Sequence, residues 1–226
     1  MTDQRAPDVI VVLGPRGATD AADRAFLLVA AGWVVGADPG TMSLVRRCPT
    51  CGGDDHGRPS IRRADGQAGG RADVGRRLEV SLSRAGSVVA VALGFAGPVG
   101  IDIESVDAVS RAGFDDVAFN PVELAALEGL AGHDAAAARA ALWTGKEAAL
   151  KAIGVGLRVD PRTLTVSLPR PGEEAGPALS AEPHGALPRA LPRLARFDAG
   201  PGLVGTIAGF TGAPPTVRVR VWAAPS

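Results

Sequence analysis

Two carboxylates, Asp102 and Glu104, stand two positions apart in Gly100-Ile-Asp-Ile-Glu104. Alternation along a strand sends Ile101 and Ile103 to one face and both acids to the other. Oxygens paired in this way suit a hard cation such as Mg2+, which takes one or two carboxylates plus water and substrate phosphates. A solvated acidic edge strand would carry the same spacing, so the spacing alone leaves both readings open. A second cluster, Trp143-Thr-Gly-Lys-Glu-Ala-Ala-Leu-Lys151, places Trp143, Glu147 and Lys151 on one helical face. Glu147 and Lys151 could equally form an ordinary surface ion pair. Two features argue for more. Lys146 and Lys151 are the two lysines among 24 basic residues, the rest being arginine. Lysine is a compact point charge and arginine a planar fork, so the exchange is not neutral where one phosphate oxygen must be met. Gly145 costs about 1 kcal/mol relative to alanine in a helix, which implies a close backbone approach.

The elements that must position these groups are readable around them. Asp8 to Leu13 predicts a short apolar strand, and Ala18 to Val35 a helix. A polar, Gly-rich stretch from Cys48 to Arg77 reads as loop, with a short strand near Ser60-Ile61. Strands are expected at Glu79–Ser83, Ser87–Phe95 and Val99–Ser105. Asn120, with Pro121 at N1 and Glu123 at N3, has the form of a capping box, and Phe119 can staple onto Leu124. A long helix follows from about Asp134 to Ile153, stopped by Gly154. Strands fit Leu164–Leu168, Leu194–Phe197, Leu203–Phe210 and Thr216–Trp222, and Pro169 to Pro192 reads as a mobile Pro/Gly-rich loop. The second half thus repeats the grammar of the first in element order, without a sequence repeat.

Composition removes several classes. With 46% hydrophobic and 21% charged residues the chain is globular, and 24 basic against 24 acidic residues give no support to nucleic-acid binding. The longest apolar run, Phe26–Val35, is too short to span a bilayer. Met1-Thr-Asp-Gln-Arg5 lacks the order of a signal peptide, and two cysteines make no disulfide framework, so a cytoplasmic location is the default expectation. Cys48-x-x-Cys51 followed by His56 offers three soft ligands where structural zinc wants four. A redox pair is the other special reading, and two partly buried thiols the plain one. His133 and His184 have no nucleophile pattern beside them, and no P-loop is present.

Together the strand and the lysine helix resemble the 4'-phosphopantetheinyl transferase superfamily, in its larger pseudo-dimeric type that activates synthase carrier proteins. The resemblance rests on Val99-Gly-Ile-Asp102 followed by Trp143-Thr-Gly-Lys-Glu-Ala-Ala-Leu-Lys151, with Asp102 and Glu147 45 positions apart. His56-Gly-Arg-Pro59, Val80-Ser-Leu-Ser83 and the position of Cys48-Pro-Thr-Cys-Gly52 extend it over about Arg46 to Lys151. It implies an α+β fold of two similar halves, 1–98 and 99–226, each a small mainly antiparallel sheet with a long helix, acting as a monomer. It implies transfer of the phosphopantetheine arm of coenzyme A to a serine of an apo acyl or peptidyl carrier protein. Asp102, Glu104 and Glu147 would ligate Mg2+, with Glu147 as the usual candidate base and Lys151 at the transferred phosphate. Lys146 would be a second phosphate contact or a structural partner. Arg58 and Ser83 would meet the coenzyme, and Arg24 and Arg46 (or Arg47) its 3'-phosphate.

The chain departs from the family pattern twice. Arg84 stands where a histidine is usual; it can hold a phosphate oxygen but cannot shuttle a proton at neutral pH. The early helix carries Arg24 where relatives place more basic residues, which points to reduced coenzyme affinity. A coenzyme-binding relative without transfer activity is the alternative that these departures keep open.

Overall fold

The computed structural model describes residues 7–48, 51–54, 57–63, 78–169, 176–181 and 187–223. His56 and His184 lie outside the described residues.

Apolar runs rich in valine, alanine and leucine form the centre of an α+β fold. Strand β1 (Val9–Pro15) is followed by helix α1 (Asp20–Val35) and then by β2 (Met42–Arg47), β3 (Arg58–Arg63), β4 (Glu79–Ala85) and β5 (Val88–Gly94). Next come β6 (Val99–Ser105) and four helices: α2 (Val106–Ala112), α3 (Asp115–Ala118), α4 (Pro121–Leu127) and the long α5 (Gly132–Ile153). The chain ends with β7 (Leu164–Ser167), β8 (Ala178–Ala181), β9 (Arg193–Phe197), β10 (Leu203–Gly209) and β11 (Val217–Val221). One six-stranded sheet runs β11-β1-β5-β4-β3-β2, and a three-stranded sheet runs β6-β10-β9. The duplicated order of elements therefore gives sheets of unequal size. β11 returns to pair parallel with β1, Val9 opposite Val217, so a strict cut at residue 98 parts it from the sheet it completes.

Burial orders these elements in layers. Leu27, Ala30 and Ala31 of α1 cover one face of the large sheet with Ile10, Val12, Val80 and Val91. Its other face packs Val11, Ala90 and Ala92 against Ile101, Ile103 and Ile207 of the small sheet. Helix α5 closes the stack on the far side of the small sheet, with Ala148, Ala149 and Ala152 beside Ala208 and Leu194. The strand expected near Ser60-Ile61 is β3, while β2, ahead of the stretch read as loop, and β8, within the one from Pro169 to Pro192, were not expected. β2 pairs with β3 in the register Leu44 with Ile61, and β8 pairs with β7 inside the Pro/Gly-rich excursion.

Two local arrangements hold α5 in place. A Cβ on Gly100 would lie 1.9 Å from the Ala148 carbonyl oxygen and 2.6 Å from the Ala152 nitrogen, so β6 rests directly on the helix backbone. At Gly145 a Cβ would meet the Val166 methyls at 3.1 Å, the close approach its presence implied, here to a side chain of β7. The second arrangement is polar. Asn120 caps α4 in a full capping box with Glu123. Its amide also donates to the Leu164 carbonyl at 3.1 Å and to Thr165 Oγ1 at 2.8 Å. Glu123 accepts from the Val166 N–H at 2.8 Å, and its other oxygen meets Lys146 Nζ at 2.5 Å. Lys146 and Glu123 are both 0% exposed, and Nζ also donates to the carbonyls of Ala118 and Pro161. Burial pushes the Lys146 pKa below its usual value, and Glu123 acts in the opposite direction.

Gly100→Ala is expected to lower unfolding free energy by ~3 kcal/mol or more, because the clash is with backbone that cannot rotate away. Lys146→Met should cost about 3–5 kcal/mol by leaving the Glu123 carboxylate buried without its cation. Urea denaturation of each variant, with far-UV dichroism, checks both; a loss under about 1 kcal/mol would contradict the close-approach or ion-pair argument concerned.

Candidate functional site

β6 is the edge strand of the small sheet, and its polar face looks toward α5. Ser81 and Ser83 of β4 fasten this edge. Ser81 Oγ accepts the Ile101 N–H at 3.1 Å, and Ser83 Oγ donates to Asp102 Oδ1 at 2.7 Å. From α5, Lys151 Nζ reaches the same Oδ1 at 2.7 Å and the Ile101 carbonyl at 3.2 Å. Asp102 is 3% exposed. Its second oxygen, Oδ2, is buried without a hydrogen-bond partner, and so is Oε1 of Glu147. Native interiors rarely leave a carboxylate oxygen in that state.

The three acids also act on one another. Burial raises the pKa of Asp102, opposed by the Lys151 charge and by the bonds from Lys151 and Ser83. Glu104 is lifted to about 7, first by burial and then by the Asp102 charge, with Glu147 adding to it; Lys151 and a hydrogen bond from Trp143 act against the rise. Burial likewise raises Glu147, with Lys151 opposing and Asp102 reinforcing. Strand and helix thus bring Asp102, Glu104, Glu147 and Lys151 into one electrostatic unit. Among the described residues no three His, Cys, Asp or Glu side chains close into a ready-made metal cage. The donor set is nevertheless all oxygen, and its two buried unpartnered oxygens fit a hard divalent cation.

Lys151 also lines a cleft of about 770 Å³, a volume typical of ligand sites. Arg24, Arg46, Arg58, Arg84 and Arg158 share its wall. Arg58 spans the two sheets' territories: Nη1 donates to the Ala152 carbonyl at 3.0 Å, and Nε lies 3.3 Å from Glu79. Arg84 bonds to Asp23 through Nε and lies 3.4 Å from Asp20. Asp23 is buried; although burial pushes its carboxyl up, the Arg84 bond, the Gly17 N–H and the Arg84 and Arg16 charges hold it below the usual range. Arg24 lies 4.0 Å from Asp20. Arg24 and Arg46 also border a neighbouring cavity of about 760 Å³ that includes Arg62.

Ser83 and Lys146 are each engaged by partners within the protein. The Ser83 hydroxyl is committed to Asp102 and is not part of the cleft lining. Lys146 is sealed in the core on Glu123 and two carbonyls, so of its two expected roles it takes the structural one. These partners were not readable beforehand, since a polar residue near a motif does not reveal which side of the sheet or helix it faces. Arg158, Asp20 and Asp23 were not singled out. Asp20 and Asp23 carry a weak signal, being acids in the first turn of a helix. Arg158 carries none, because its place depends on how the turn after α5 folds back.

No curated protein matches the chain. Residues 98–185, which run from the start of β6 through α5 to just past β8 and hold all three acids and Lys151, match the family model of the 4'-phosphopantetheinyl transferase superfamily.

Proposed function

We propose that the protein transfers the 4'-phosphopantetheine arm of coenzyme A to a serine of apo acyl or peptidyl carrier proteins, with Mg2+, releasing 3',5'-ADP. The observation that carries this reading is the link made by Lys151. One ammonium joins a buried carboxylate group with unpartnered oxygens to an arginine-walled cleft large enough for a nucleotide. That link lies in the stretch matching a phosphopantetheinyl transferase family.

Asp102, Glu104 and Glu147 would hold the cation. When bound, Mg2+ supplies charge neutralisation to the coenzyme pyrophosphate. Lys151 holds the phosphate that carries the arm, and Arg24, Arg46, Arg58 and Arg84 meet the nucleotide's other anionic groups. The carrier serine Oγ attacks the phosphorus bearing the pantetheine, and the bond from that phosphorus to the 3',5'-ADP oxygen breaks. Glu147 takes the serine proton, directly or through water. Ser83 and the peptide of Ile101 keep Asp102 and Lys151 in register. The protein acts as a cytoplasmic monomer in this reading. The second reading, a coenzyme-binding relative without transfer, draws on Arg84. It stands where a histidine is usual and, on the cleft wall, is tied to Asp23 and Asp20.

Mass spectrometry of an apo carrier protein incubated with coenzyme A, Mg2+ and the protein should register the gain of one phosphopantetheine, absent without the metal. Asp102→Ala should lower that rate at least about a hundredfold while leaving the fold intact, the loss of several kcal/mol of charge stabilisation. Turnover retained by this variant would remove Asp102 from the metal site. No gain on any carrier, with coenzyme binding intact, would favour the second reading.

The raised carboxyl pKa values give a pH test. A carboxyl whose pKa is higher folded than unfolded favours folding at low pH, and that contribution is lost as pH rises through the folded value, about 7 for Glu104. Mg2+ binds the ionised forms, so the thermal stabilisation it confers should grow between about pH 5.5 and about pH 8.5. Thermal melts with and without Mg2+ across this range would check it; a gain that stays flat would argue against these acids as ligands.

A further inference from the structure

The cleft arginines differ in how their charge is balanced. Arg24 lies beside Asp20, Arg58 beside Glu79, and Arg84 beside Asp23 and Asp20. Among the described residues no carboxylate pairs with Arg46 or with Arg158, and the Arg158 guanidinium is held from several sides. Nε donates to the Val155 carbonyl at 3.1 Å and Nη2 to the Gly154 carbonyl at 3.4 Å. Both Nη1 and Nη2 converge on Cys48 Sγ at 3.5 Å, a contact between residues 110 positions apart. A guanidinium has five N–H donors, and these contacts engage four. What remains is one N–H and an uncompensated positive charge on the wall of a cleft. That combination suits a phosphate oxygen.

Cys48 is well placed to hold this arrangement and to disturb it. Its side chain is buried at the end of β2, while Cys51 is exposed, and both are thiols. The Gly52 N–H donates to the Cys48 carbonyl at 2.9 Å, and the Cys48 N–H to the Gly53 carbonyl at 2.8 Å. These two bonds bring Cys48 within hydrogen-bond reach of the residues that follow Cys51. Gly57, with φ of +94°, lies so near that an added Cβ would sit 2.5 Å from Cys48 Cα. Gly57, Arg58 and Pro59 are themselves cleft wall. A displacement of Cys48 is therefore transmitted to Arg158 on one side and to Gly57 and Arg58 on the other.

We propose that Arg158 binds a phosphate of the coenzyme, that Cys48 is its positioning residue, and that closing a Cys48–Cys51 disulfide weakens coenzyme binding. This rests on the coenzyme reading of the cleft. The oxidant is a small disulfide such as oxidised glutathione. The exposed Cys51 thiolate attacks one of its sulfurs and releases one reduced thiol. Cys48 then attacks Cys51 Sγ of the mixed disulfide, releasing the second; the protein loses two electrons and two protons, and the oxidant gains them. The new S–S bond draws Sγ toward Cys51 and away from the two guanidinium nitrogens.

Isothermal titration with coenzyme A, on protein equilibrated in reduced or oxidised glutathione, tests this, with mass spectrometry counting the two hydrogens lost. Oxidised wild type should bind roughly tenfold more weakly than reduced, the scale of one charge-assisted contact. Arg158→Ala should bind weakly in either buffer, and Arg158→Lys should regain part of the affinity. Cys51→Ser, altered at an exposed position, should bind like reduced wild type in both buffers. Equal affinity of the reduced protein and its confirmed disulfide form would overturn the inference, as would an Arg158→Ala variant that binds like wild type. So would failure of the disulfide to form at any glutathione ratio. Reduced wild type that binds no coenzyme A would overturn the coenzyme reading itself, and this inference with it.

Discussion

Gly100 lets the β6 backbone lie on the α5 backbone, and the arrangement of the site depends on that contact. Any side chain at this position would push strand and helix apart by more than the length of a hydrogen bond can absorb. Two residues on, Asp102 would lose Lys151, whose Nζ holds both the Asp102 carboxylate and the Ile101 carbonyl. The alanines of α5 serve the same end, since Ala148, Ala149 and Ala152 are small enough to keep helix and sheet at this distance. A larger residue there would relieve no void and would separate the acids of the strand from those of the helix.

Close packing of this kind makes the site electrostatically expensive. Asp102 is buried and Glu104 and Glu147 are half-buried beside a single ammonium, and burial holds each above its ordinary pKa. Hydrophobic substitutes would be more stable in that place, so stability does not explain why the acids are there. The buried pair of Lys146 and Glu123 differs in this respect. Every polar atom of that node has a partner, and it joins α4, α5 and β7 into one body. One lysine of the helix thus anchors it and the other works at its surface, although the two sit five positions apart in the same sequence motif.

The acids and Lys151 were legible in the sequence because their geometry is local. Alternation puts Asp102 and Glu104 on one side of a strand, and helical spacing puts Trp143, Glu147 and Lys151 on one face. The capping box at Asn120 was legible for the same reason. What escaped is set by tertiary apposition. β2 is partly exposed along most of its length, so Met42–Arg47 lacks a clear alternating pattern. β8 is hidden by the Pro and Gly residues around it. Ser83 and Lys146 were given cleft roles because residue type was visible and facing was not. Arg158 shows the limit most clearly, since the contact that distinguishes it comes from Cys48, far away in the chain.

The distribution of charge across the cleft follows from these placements. Its N-terminal wall carries three arginines tied to acids, Arg84 by Asp23, Arg58 by Glu79 and Arg24 by Asp20, together with Arg46, which has no carboxylate partner among the described residues. Paired guanidinium groups are pre-positioned and lose little freedom when a ligand arrives, but each offers less net charge. The opposite balance holds near the turn after α5, where Arg158 is fixed by carbonyls and a sulfur and keeps its charge. Arg46 and Arg158 are thus the cleft arginines without a carboxylate partner among the described residues, and Arg158 lies on the same stretch of chain as Lys151. In the proposed reading a phosphate is therefore held by Arg158 and Lys151, and the paired arginines of the other wall act on its orientation more than on its attraction.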